Sequence, residues 1–86
     1  LIFLRESKAH IEALATLVPQ QDLAAAAKRA HAVKSSAGAL GAIALQDMCS
    51  QLEIACRESR PHIAALLQAT TNVAEASWQA LHSRLG

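Results

Sequence analysis

The chain has 86 residues, enough for one small domain with a modest core. It is 52% apolar but only 2% aromatic, which favours close-packed helices over strands, since strands draw on β-branched and aromatic side chains. The net charge is +1 with no run of like charge, which argues against nucleic-acid binding; no stretch reads as a membrane span or a secretory signal.

Four helical segments follow one another with short breaks. The first is expected over residues 2–18, with Phe3, Leu4, Ser7, Ile11, Leu14 and Val18 on one stripe at three-to-four-residue spacing. Pro19 ends it, because the residue before a proline is driven out of the helical region. The second is expected over 21–40, with Asp22 in a first turn whose dipole favours an anion. Leu23, Ala26, Ala30, Val33, Ala37 and Leu40 form its seam, spaced as in packed bundles, and Gly41 suits a left-handed cap where it stops.

The third helix is expected over 44–59, its inner face made by Leu45, Met48, Cys49, Leu52, Ala55 and Cys56. Cys49 and Cys56 would lie about 10 Å apart on that helix, beyond the roughly 7 Å reach of a disulfide. They read as two small buried side chains. The fourth helix is expected over 61–85, with Pro61 in its first turn and Ile63, Leu67, Thr70, Ala74, Trp78, Leu81 and Leu85 along its stripe. Trp78 is expected in the core. Connections this short make successive helices antiparallel neighbours, so the fold class is all-α, an up-down four-helix bundle in a single domain.

His31 falls off the seam of the second helix, roughly 130° from the seam's centre. Its neighbours on that flank are Ala27, Lys34, Ser35 and Gly38, three of them small. The imidazole should therefore face water. A neutral imidazole is a competent nucleophile near neutral pH, and the flexible cation of Lys34 can offset the charge of a transferring phosphoryl group. Gly38 works against helix formation by roughly 1 kcal/mol relative to Ala, which calls for a steric reason, either close helix packing or access for a partner. The competing reading treats His31 and Lys34 as ordinary solvated side chains.

The run Ala30-His31-Ala32-Val33-Lys34-Ser35-Ser36-Ala37-Gly38-Ala39-Leu40-Gly41-Ala42 resembles the signature of histidine-containing phosphotransfer (HPt) domains: His, an apolar residue before Lys, small residues, then Leu-Gly. Leu45, Cys49, Leu52 and Glu53 resemble the family's next helix, and Phe3-Leu4 with Ile11 and Leu14 the helix before the active one. Ser35 stands where glycine is common in the family. The resemblance implies a passive relay in two-component signalling. His31 would be the phosphoacceptor, taking a phosphoryl group from one receiver-domain aspartate and yielding it to another. Lys34 would stabilise its charge, and Glu53 would orient the imidazole. Ala27, Ser35, Gly38 and Gly41 would keep the docking surface open. The resemblance also implies no ATP site, so not an autonomous kinase, and no cofactor of its own, the Mg²⁺ of transfer residing in the receiver. A cytoplasmic monomer is expected. The chain starts without Met, so it is expected to be part of a longer protein, such as the C-terminal domain of a hybrid sensor kinase.

The remaining features invite plainer readings. His10, His62 and His82 lie on other helices without the i, i+4 spacing of paired ligands, so no metal is expected. Ser35 and Ser36 lack the third group of a hydrolase triad. Ile54 falls opposite the inner face of its helix and should be exposed. Two alternatives to a relay remain: a non-catalytic helical interaction or dimerisation module, and the dimerisation region of a histidine kinase. The second fits less well, because Ala32 follows His31 where an acidic residue is usual.

Overall fold

The computed structural model describes the backbone of residues 2–85 and the side chains of residues 2–83. Four helices follow in order, α1 (Ile2–Leu17), α2 (Leu23–Ala39), α3 (Ile43–Arg57) and α4 (Ile63–Leu85). They form an antiparallel bundle measuring 39 × 20 × 18 Å. Each helix packs on its sequence neighbours, α1 closes the ring onto α4, and the α2–α3 pair is the most extensive contact.

Most of the stripe residues predicted from periodicity become the core, while Leu4 and Met48 are only half-buried. Phe3, Ile11, Leu14 and Val18 from the first segment meet Ala26, Ala30, Val33 and Ala37 of α2, Leu45, Cys49, Leu52, Ala55 and Cys56 of α3, and Ile63 and Ala74 of α4. Alanines along α2 let its backbone come close to its neighbours, so the bundle is tight with hardly any aromatic volume. Both cysteines are free and buried; burial pushes the Cys49 thiol up to about 12, against the lowering effect of the Lys34 charge.

Helix ends differ from expectation by at most two residues, and the larger differences have a cause. The chain past Pro19 turns through Gln21, whose φ of 61° is left-handed, and Asp22 becomes the N-cap of α2, its carboxylate accepting from the Ala25 N–H at 3.4 Å. Pro61 does not join α4. His62 behind it has φ 67°, which no right-handed helix accommodates, so α4 begins at Ile63. Leu40, assigned to the seam, is instead the C-cap of α2 and 52% exposed. Gly41 holds φ 75°, with Ala42 N–H bonded to Ala37 O and Gly41 N–H to Gly38 O. This is a Schellman motif with glycine in the left-handed position, as expected. Ser59 closes α3 the same way, with φ 51° and the Arg60 N–H on Ala55 O.

Trp78 is half-buried at the α1–α4 seam, not central as predicted. Its Nε1–H donates to Ser7 Oγ at 2.8 Å, Ser7 in turn donates to Phe3 O at 2.6 Å, and Lys8 Nζ sits 5.4 Å from the indole centroid. The indole needs a partner for its N–H, and a buried serine on the neighbouring helix draws it to the edge. Leu85, expected to end the α4 stripe, lies outside the described side chains. Ile54 is exposed, as predicted. Among the described residues, no helix is long and apolar enough to cross a membrane.

Candidate functional site

His31 stands on the outer flank of α2 with 55% of its side chain exposed. The flank faces out because the seam residues Ala30, Val33 and Ala37 turn the opposite side of α2 inward. Across the groove, α3 presents Glu53, which is only 7% exposed. His31 Nδ1 lies 3.2 Å from Glu53 Oε2 and 3.3 Å from Oε1. Lys34 Nζ donates to Oε1 at 2.7 Å. From one turn along α3, Arg57 donates to Oε2 through Nε at 3.0 Å and approaches it through Nη2 at 2.9 Å.

A carboxylate this buried would ordinarily prefer to be neutral. Here burial raises its pKa, but the hydrogen bonds from Lys34, Arg57 and His31 outweigh burial, and the carboxyl is held down to about 2. Glu53 is therefore ionised at neutral pH and can only accept. A hydrogen bond between it and His31 Nδ1 requires the proton to be on Nδ1. In the neutral ring that leaves the lone pair on Nε2.

The residues singled out by sequence divide into those that meet and those that do not. His31, Lys34 and Glu53 form one connected cluster. Ser35 is exposed beside His31. Gly38 lies two turns on from His31, and Gln46, two turns back from Glu53, lies across it: a Cβ on Gly38 would stand 2.6 Å from Gln46 Nε2. The contact is with the flexible end of a side chain, so a methyl group here would displace that amide and not the α3 backbone. Gly41 is exposed at the turn into α3 and serves the backbone there. Ala27 does not line the open surface as expected; it is 1% exposed. Helix α2 packs on α1 at one side and α3 at the other, so its buried arc is wider than the seam alone and takes in Ala27 as well as Ala26.

The sequence reading misses Arg57 and Gln46 as members of this site. For Arg57 a signal existed, the i, i+4 spacing from Glu53 that pairs opposite charges on a helix. His10 is engaged elsewhere, accepting from Arg29 Nη1 at 3.1 Å. Among the described residues, no three His, Cys, Asp or Glu side chains cluster in a way that could hold a metal ion.

An exposed imidazole on a four-helix bundle, its inner nitrogen bonded to a carboxylate and its rim set with cations, is equipped to act as a nucleophile through its outer nitrogen. The chain belongs to the Hpt domain family, whose model matches residues 1–85. The family carries out histidine phosphotransfer in two-component signalling, and its members interact with receiver domains in phosphorelays. No curated protein and no solved structure matches the chain.

Proposed function

We infer that His31 is the phosphoacceptor of this domain and that phosphate passes through its Nε2, between the aspartate of one receiver domain and that of another. The observation that carries the reading is the Glu53 carboxylate on Nδ1, which leaves the nucleophilic lone pair on the other nitrogen of an exposed ring. In the forward step the Nε2 lone pair attacks the phosphorus of an aspartyl phosphate. The N–P bond forms as the acyl P–O bond breaks, and the aspartate leaves as its carboxylate. No proton need move, because the phosphorylated ring keeps its Nδ1–H on Glu53 and carries the positive charge that this carboxylate offsets. The return step is the reverse, onto a second aspartate.

Lys34 takes the charge-stabilising role by turning its ammonium, on a flexible stem, from Glu53 toward the incoming phosphoryl oxygens. Ser35 and Gly38 leave the approach to Nε2 open on one side. On this reading Mg²⁺ belongs to the receiver. The test is incubation with a pre-phosphorylated receiver and Mg²⁺, scoring acid-labile label on wild type and on His31→Gln. Label on wild type alone is the expected result; label retained by the variant overturns the assignment.

A further inference from the structure

Glu53 poses an electrostatic problem for the site just described. Its charge fixes the imidazole tautomer, but the same charge repels a dianionic phosphoryl group. It also holds Lys34, the cation the transfer would use, at 2.7 Å. Another cation must offset the Glu53 carboxylate if Lys34 is to leave.

The two carboxylate oxygens divide the work. Oε1 takes Lys34, while Oε2 takes Arg57 through both Nε and Nη2; His31 Nδ1 reaches both oxygens. Arg57 approaches from the C-terminal side along α3, away from Lys34 on α2, so neither cation has to move for the other to stay. A two-pronged guanidinium contact is a fixed fork, whereas the lysine contact is a single bond on a flexible stem. The charged groups bonded to Glu53 are thus unequal in kind: one is built to remain and one is free to turn.

We propose that Arg57 is a positioning residue of the phosphotransfer site, the resident counter-ion of Glu53 that offsets the carboxylate's charge and releases Lys34 to the phosphoryl group. The proposal rests on the phosphoacceptor reading of His31. Arg57 acts through Glu53 and need not touch phosphate. With Arg57 present, the cluster of Glu53, Lys34 and Arg57 carries a net +1 beside the neutral ring. Without it that excess is gone, Glu53 bears more strongly on His31, and Lys34 becomes the carboxylate's remaining cationic partner.

The experiment compares wild type, Arg57→Ala and Arg57→Lys in the full chain. Ring ¹⁵N NMR reports the contact of His31 Nδ1 with Glu53, and single-turnover transfer from a phosphorylated receiver is followed at pH 7. In Arg57→Ala the His31 ring signals should shift and transfer should fall about threefold or more. Arg57→Lys should restore most of both. A folded Arg57→Ala protein whose ring signals match wild type would overturn the proposal, as would an unchanged transfer rate. The NMR readout needs no phosphate: ring signals that shift in a chain that accepts no label would sink the phosphoacceptor reading while leaving the electrostatic role of Arg57 standing.

Discussion

Lys34 and Glu53, facing each other from α2 and α3, make the shortest polar contact of the site at 2.7 Å, with the lysine side chain 29% exposed. A cation half out of water and tied to a buried carboxylate is at once a structural tie and a mobile charge. Both roles can be read in one variant.

Lys34→Ala should slow phosphoryl transfer by about tenfold, the equivalent of ~1.4 kcal/mol in the transition state. Its stability should fall by no more than about 1 kcal/mol, since Arg57 still neutralises Glu53 and the pair is partly solvated. Rapid-quench transfer assays and urea titration separate the two. An unchanged transfer rate would remove Lys34 from the mechanism.

The acid limb of stability should carry a mark from Glu53. Its carboxyl sits at about 2 in the fold against an ordinary 4.5, so its contribution is fully present above about 4.5 and is lost as pH falls through about 2. The difference in denaturation midpoint between wild type and Glu53→Gln should therefore be constant from pH 7 to 5 and shrink steadily below that. A difference that stays constant down to pH 2 would show that the carboxylate is not preferentially stabilised in the fold.

Gly38→Ala separates helix propensity from docking. The new Cβ meets first the amide end of Gln46, a flexible side chain that can swing aside, so helix propensity should win and the protein should gain about 0.5 kcal/mol. Adding Gln46→Ala should raise the gain toward about 1 kcal/mol. Transfer from a receiver should slow in both, because the methyl group or the displaced amide narrows the approach beside His31. A loss of stability in the double variant would show that more than the Gln46 amide opposes a methyl group here.

Ser7→Ala should cost about 1–3 kcal/mol, out of proportion to one oxygen, because the Trp78 N–H loses its partner at a partly buried seam. Thermal melts and the tryptophan emission maximum report it, and transfer activity at His31 should be unchanged below the melting range. A cost near zero would mean that water replaces the hydroxyl.

Much of this was legible in the chain because the information is local. The α1 and α3 stripes, the left-handed Gly41 and the outward turn of His31 follow from helical periodicity alone, and the facing position of Glu53 followed from family likeness. What the sequence hid depended on two helices at once. Ala27 looked exposed when α2 was judged by its own seam, but its burial is set by helices on both sides. Gly38 left open whether a partner or a packed helix required it; what faces it is the side chain of Gln46, on another helix. Pro61 misled because a favourable residue for a first turn is no guide to the backbone of the residue behind it, and His62 took a left-handed conformation.

The Schellman closure at Gly41 joins α2 to α3 through only three residues, 40–42. Every polar contact at the site therefore spans at most 22 positions, that of His31 with Glu53 being the widest. Sites assembled over such short separations close early in folding and tend to persist when remoter contacts loosen. The seam at Ser7 and Trp78 bridges 71 positions and joins the helices that meet least. Breathing of this domain should thus begin on the side away from the histidine, and slow amide exchange should mark the α2–α3 hairpin as the last part to open.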